Sequence, residues 1–335
     1  MLNERSLPIL ATLLVFTLLY GFGFVEYNGF RGLLVFSNLL TDNAFLIITA
    51  IGMTFVILSG GIDLSVGSMI AFVGVLMAYL VTSLGLHPIP AMVIAIVVGT
   101  LFGALMGLII AYFEIQPFIV TLAGMFLFRG LAYLINVNSV PIDHDFVATL
   151  AGFYIPLPGR GYLSFIAIAM LVLLALGMIL ARRTRFGMNV YALGGDAQSA
   201  ALLGVPVKKT TIRIYALSGF FSATAGVIFA IYTGSAYPLA AVGVELDAIA
   251  AVVIGGTLLS GGVGFVFGSF LGGLIQGVIQ TLISFDGTLN SWWTKIAVGV
   301  LLLLFIVMQK YIIYWVRRYS SKDEAEKSEA EPAQS

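Results

Sequence analysis

The chain has 335 residues, 60% of them hydrophobic and only 10% charged, with a mean hydropathy of +1.07. Soluble domains carry roughly a quarter charged residues, so no water-facing surface can be assembled here and lipid is the expected solvent. A formal net charge of zero argues against nucleic acid as a partner, and the lack of cysteine excludes disulfides, thiol catalysis and Cys-type metal sites.

Glu4 and Arg5 precede an apolar run from Leu7 to about Val25. The run is longer than a signal-peptide core and no Ala-x-Ala-type cleavage site follows it, so it is expected to be a retained first span. Further runs near the roughly 20 residues needed to cross a bilayer fall at about 43–59, 64–84, 89–112, 117–136, 163–181, 213–233, 246–262, 264–284 and 293–310. Together they predict an all-α polytopic membrane protein with about ten transmembrane helices. Arg182, Arg183, Arg185, Lys208, Lys209 and Arg213 crowd one connection, which the positive-inside tendency places in the cytoplasm. Counting spans from there puts both termini inside, in agreement with Arg5, Lys310, Arg317 and Arg318, and puts the long loop 137–162 outside. The end SSKDEAEKSEAEPAQS is acidic and has no apolar period, so 1–319 is expected as the membrane domain and 320–335 as a disordered cytoplasmic tail.

Glycine is abundant, with 38 residues. Gly99, Gly103 and Gly107 form one stripe at helical spacing, and Gly268 and Gly272 another; in lipid such stripes let helix backbones approach closely. Packing within one subunit is the expectation, a subunit interface the alternative. The segment LSGGIDLSVGS (58–68) is echoed by LSGGVGFVFGS (259–269). Internal repeats of this kind occur in transporters, and six predicted spans between the copies imply parallel repeats. The LSGG string also occurs in ATP-binding-cassette ATPases, but both copies here lie in span-forming sequence. There is no G-x-x-x-x-G-K-[ST] phosphate loop. The Ser-Gly-Gly runs therefore read as helix breaks, and the chain is not expected to hydrolyse ATP.

The connection 182–212 is far longer than the roughly 2–8 residues usual between helices. Asp196 is a good N-cap, Ala197 to Leu203 favour helix, Gly204 stops it and Pro206 prevents its continuation. So short a helix is marginal alone. Either it rests on its own bundle or it docks on another protein.

Ionisable groups at membrane depth are costly and point to function. Asp63 follows the first Ser-Gly-Gly turn, where its carboxylate can accept from amides freed by the break. Glu245 and Asp247 open the eighth predicted span, where the helix dipole favours negative charge. Arg129 lies within the fifth span with no evident partner, Glu114 near the turn before it. Trp292, Trp293 and Lys295 mark the outer end of the last span. A pathway or gate is expected among Asn43, Ser59, Gly60, Gly61, Asp63, Ser65, Glu245 and Asp247. Thr121, Gln276 and Gln280 are further groups suited to a neutral polar cargo. His87 and His144 fall in external loops, too far apart in sequence to suggest a site, and no metal site is expected.

ILSGGIDLSVGS, TRFGMNVYALGGDAQSAALLGV and ELDAIAAVVIGGTLLSGGVG resemble the permeases of ribose-type sugar ATP-binding-cassette importers, over about residues 40–310. PIDHDF, VGVELDAIA and FDGTLNSWWTKIA are similar to the galactofuranose members of that family. The resemblance implies the ribose/branched-chain-type permease fold in the bacterial inner membrane. It also implies a second permease subunit in a heterodimer, ATPase subunits docked below, and a periplasmic sugar-binding protein above. The cargo would be a monosaccharide; this chain would bind no cofactor, ATP being used by the partner. The segment 182–212 would couple to the ATPase through Gly194, Gly195, Asp196, Ala197, Ala200, Ala201 and Gly204.

An ion-coupled secondary sugar transporter is the competing class. It would need a carboxylate that cycles with a proton or sodium ion, for which Asp63 is the candidate, and would not need the helix at 196–203. An intramembrane enzyme is a poor fit, since no H-E-x-x-H or Gly-x-Gly-Asp signature is present.

Overall fold

The computed structural model describes residues 7–290 and 292–330. Its helices are α1 (Leu7–Glu26), α2 (Leu33–Asp42), α3 (Ala44–Leu58), α4 (Val66–Thr82), α5 (Pro88–Phe113), α6 (Pro117–Ile135), α7 (Asp145–Gly152), α8 (Phe165–Arg183), α9 (Arg185–Gly195), α10 (Ala197–Leu202), α11 (Val207–Thr233), α12 (Val244–Ile254), α13 (Val266–Asp286) and α14 (Trp292–Ala330). The all-α membrane architecture is as expected. Among the described residues seven helices are long and apolar enough to cross a membrane, or eight when α2 and α3, bent by 55°, count as one span. The expected spans 64–84 and 246–262 correspond to the 17-residue α4 and the 11-residue α12, so length and composition do not return ten.

The reason is burial. Most of α4 and α12 is buried in protein, whereas α1 and α14 are mostly exposed, so hydropathy does not oblige the inner helices to run the full bilayer thickness. A helix can end at membrane depth only where its last carbonyls find partners inside the protein. α12 meets this condition: Thr12 of α1 donates to Ile254 O at 2.6 Å, and Gln309 of α14 donates to Val253 O at 3.1 Å.

Both glycine stripes pack inside the subunit. A methyl on Gly99 would lie 2.6 Å from Ala223 Cβ, and one on Gly107 2.9 Å from Ile212 Cα. One on Gly103 would overlap the Tyr215 carbonyl, so α5 presses backbone to backbone on α11. Gly268 and Gly272 likewise abut the carbonyls of Gly255 and Ala251, locking α13 on α12.

One end of the bundle gathers the longer loops. Loop 137–162 is more structured than a plain loop: it holds α7 and most of a hairpin of β2 (Tyr154–Pro156) with β3 (Tyr162–Ser164). Near its start β1 (Val140–Pro141) pairs antiparallel with β4 (Ser235–Ala236). At the opposite end the two Ser-Gly-Gly breaks meet: Gly262 N donates to Leu58 O at 2.9 Å. Both copies of the echo thus face the same end and run in the same direction. The backbone of α14 continues to Ala330, so 320–330 is helical rather than irregular; SSKDEAEKSEA is rich in the helix formers Ala, Glu and Lys. Residues 331–335 of the expected tail, and Glu4 and Arg5, lie outside the described residues.

Candidate translocation pathway and coupling segment

A cavity of about 830 Å³ lies at the loop-rich end. Its walls come from α2 and α3 around their bend, the end of α11, the start of α12, the C-terminal half of α13 and the start of α14. The bend sits at Asn43, which leaves the α-helical region (φ −98°, ψ 4°) between the two helices. Asn43 Nδ2 donates back to Leu39 O at 2.9 Å, and Gly277 opposite leaves the room its amide occupies.

The wall mixes apolar side chains, among them Leu34, Phe45, Leu46 and Phe285, with polar groups that carry little free charge. Lys295 Nζ reaches both carboxylate oxygens of Asp247, at 2.7 and 2.6 Å. Tyr232 donates to Asp42 Oδ1 at 3.0 Å, and Gln276 Nε2 to Asp247 O at 2.8 Å. Gln280, Thr281, Ser284 and Trp292 add further amide, hydroxyl and indole groups to the lining. That set matches a neutral polyhydroxylated solute, which offers hydroxyls to amides and a C–H face to an aromatic ring.

The candidates named from the sequence divide between the two ends. Asn43, Asp247, Gln276 and Gln280 line the cavity. Ser59, Gly60, Gly61, Asp63 and Ser65 lie at the break after α3 and do not line it. Asp63 is buried. Its Oδ1 accepts from Ser65 N (2.9 Å) and Ser65 Oγ (2.6 Å), and its Oδ2 from Ser218 Oγ (2.7 Å), tying the break to α11. Glu245 Oε1 accepts from Gly243 N at 3.3 Å, within the turn that starts α12. Thr121 is buried and donates to Pro117 O at 2.9 Å.

Arg129 finds its partners in carbonyls rather than a carboxylate. It donates to Pro238 O and, at 2.8 Å, to Ala240 O, clamping the loop between β4 and α12. Glu114 is the exposed left-handed cap that ends α5. The two histidines, judged too far apart in sequence, come together with ring centroids 5.5 Å apart; each caps a helix through Nδ1. Sequence reasoning also missed Asp42 and Tyr232. The only available signal was a pair of polar residues at the ends of apolar runs.

At the other end the connection 182–212 contains two helices. Thr184 Oγ1 accepts from Gly187 N at 3.1 Å and starts α9. Asp196 Oδ1 accepts from Ser199 N at 2.6 Å and starts α10, and Gly204 (φ +83°) ends it. The Ser199 amide also holds the Asp196 carboxyl below its usual range. Leu202 and Leu203 are 89% and 84% exposed, beside exposed Ala197 and Ala201, whereas Ala200 is buried against its own chain. Two large apolar side chains are thus left in the open at the end of a capped helix.

The family model for "Branched-chain amino acid transport system / permease component" matches residues 35–306. The chain belongs to this permease family and is a multi-pass membrane permease of the ribose-type ATP-binding-cassette class. It is 54% identical to the inner membrane ABC transporter permease protein YjfF of Escherichia coli (strain K12), over 95% of this chain and 96% of that one. It is 38% identical to the fructose import permease protein FruG of Bifidobacterium longum (strain NCC 2705), over 93% of each chain. Against the ribose import permease protein RbsC of Bacillus subtilis (strain 168) it is 39% identical, over 82% of this chain and 84% of that one. No solved structure matches.

Proposed function

We propose that this chain is the membrane-spanning permease subunit of a bacterial inner-membrane importer that carries a monosaccharide, with galactofuranose the favoured cargo. ATP is hydrolysed on separate ATPase subunits that grip α10 from the cytoplasm. A second, non-identical permease completes the pathway, and a periplasmic binding protein delivers sugar to the cavity. Both chain termini lie in the cytoplasm, the orientation that the basic residues of 182–213 favour.

The observation that carries this reading is the cavity wall, rich in amide and hydroxyl groups, at the end opposite the exposed α10 leucines. The names of the relatives, fructose and ribose permeases among them, support a sugar. The family description mentions amino acids, but a zwitterion needs free charges of both signs, and Asp247 and Lys295 neutralise one another. The ion-coupled alternative is disfavoured by Asp63, which is buried, triply hydrogen-bonded and outside the cavity.

The test is uptake by vesicles holding the chain with its neighbouring-gene permease, ATPase and binding protein, across a panel of labelled pentoses and hexoses including galactofuranose. Uptake should require ATP and persist with an uncoupler. Gln280→Leu should raise the sugar concentration for half-maximal uptake by about tenfold, the scale of one lost polar contact. Transport by the isolated chain, or collapse of uptake with the uncoupler, would overturn the proposal.

A further inference from the structure

We infer that Gly194 and the two Ser-Gly-Gly breaks form one rigid joint that transmits the movement of α10 to the cavity walls, which makes Gly194 a positioning residue for transport. This inference rests on the coupling role proposed for α10 and adds the route by which its movement travels.

Three separate pieces of backbone converge at one point. Leu58 O, the last carbonyl of α3, accepts from the amide of Gly262 in the second break. Gly194, in the last turn of α9, lies on the same carbonyl so closely that a methyl there would overlap it. A methyl on Gly261 would stand 2.9 Å from Gly60 N and 3.0 Å from Gly194 O, and one on Gly262 3.1 Å from Gly195 Cα. Gly261 and Gly262 also hold φ values of +86° and +75°, which side chains resist. So Gly194 of α9 and Gly261 and Gly262 of the second echo are needed at one place, because backbone touches backbone there, against Leu58 and Gly60 of the first echo. Two further bonds fasten α9 to the same elements: Tyr191 Oη donates to Gly264 O at 2.8 Å, and Phe186 stacks on Phe55 of α3 at 6.0 Å.

The consequences follow from connectivity. Asp196, which caps α10, is two residues beyond Gly194, so a load on α10 reaches the joint through a lever two peptide units long. From the joint, α3 leads to Asn43 at the bend, and the second break leads back through α12 to Asp247 and forward through α13 to Gln276 and Gln280. All four residues line the cavity. The echoed sequence thus marks the two places where a shared cytoplasmic lever is attached, and its parallel sense puts both attachments at the same end. Coupling between distant sites needs such a contiguous element that both sites bias.

The experiment uses the assembled importer in nanodiscs and vesicles. Gly21→Ala, in α1 and away from the joint, whose methyl would meet nothing within 4 Å, should leave sugar transported per ATP unchanged. Gly194→Ala should keep the ATPase bound and hydrolysing while sugar transported per ATP falls about tenfold, within the range seen for coupling residues. Wild-type stoichiometry in Gly194→Ala would overturn the inference. Because that variant is open to misfolding, a second measurement keeps every glycine. The chain has no cysteine, so spin labels at Met188→Cys and Ser260→Cys, both exposed, report α9 against the second break. Their separation should be the same in nucleotide-free and ATP-trapped complexes. A shift of several ångströms would show α9 sliding over the break and would refute the joint. If the ATPase failed to co-purify with the wild-type chain, the coupling role itself would fall, and the lever with it.

Discussion

Arg129 illustrates how a half-buried cation is held by backbone carbonyls, with the Glu245 carboxylate close by rather than bonded to it. Its guanidinium turns to the carbonyls of Pro238 and Ala240, whose loop includes two left-handed residues, Ala241 and Gly243. Charge-assisted bonds of this kind contribute about 1.5–3 kcal/mol. Arg129→Met should therefore lower stability by about 2 kcal/mol, read as a drop in unfolding temperature of the purified permease; an unchanged temperature would mean the loop is held by other contacts. Asp63 is the complementary case, an acid whose oxygens take up a freed amide and two hydroxyls. Asp63→Ala strands three buried donors, so a loss of about 3 kcal/mol is expected on the same assay, with Asp63→Asn milder because one oxygen still accepts.

Among the elements, α10 carries the clearest surface. Leu202→Asp combined with Leu203→Asp should abolish co-purification of the ATPase while leaving membrane insertion and unfolding temperature unchanged, since both side chains stand in the open. The same outcome is not expected from a bulky residue at Ala200, which would strike its own chain. The cap adds a pH expectation. The Asp196 carboxyl is held below its usual range by the Ser199 amide. Its contribution is therefore complete above the unfolded value of about 4 and is lost only as pH falls through the lower folded value. ATPase binding should thus stay flat between about pH 8 and 5. It should survive Asp196→Asn, another good cap, and weaken in Asp196→Ala. In the bundle, Gly103→Leu would force α5 off α11 where the backbone of each touches the other. Overpacking costs typically 1–3 kcal/mol and more where backbone must move, and the readout is loss of the folded monomer in size-exclusion chromatography.

At the level of the whole molecule the two ends are built differently, and the buried helices link them. The loop-rich end holds a cavity whose walls come from six helices; the opposite end holds α10 and the convergence of both breaks. α3, α12 and α13 run from one to the other. Hydropathy placed α13 and the body of α3 but missed the bend at Asn43 and the end of α12 at Ile254, because a helix enclosed by protein is free to bend or stop in a way that a lipid-facing helix is not.

Membrane residence, the all-α class, the two glycine stripes and the capped element at 196–203 were legible from residues alone. Each depends on local composition or spacing, which a chain carries before it folds. The α2–α3 bend, the half-length α12, the cavity, the partners of Arg129 and the meeting of the two LSGG echoes were decided only by tertiary structure. A glycine in sequence says that something comes close, and a polar residue in an apolar run says that something must satisfy it. Which backbone approaches, and which carbonyl or hydroxyl answers, depends on helices hundreds of residues apart: Thr12 reaching Ile254, Leu58 reaching Gly262.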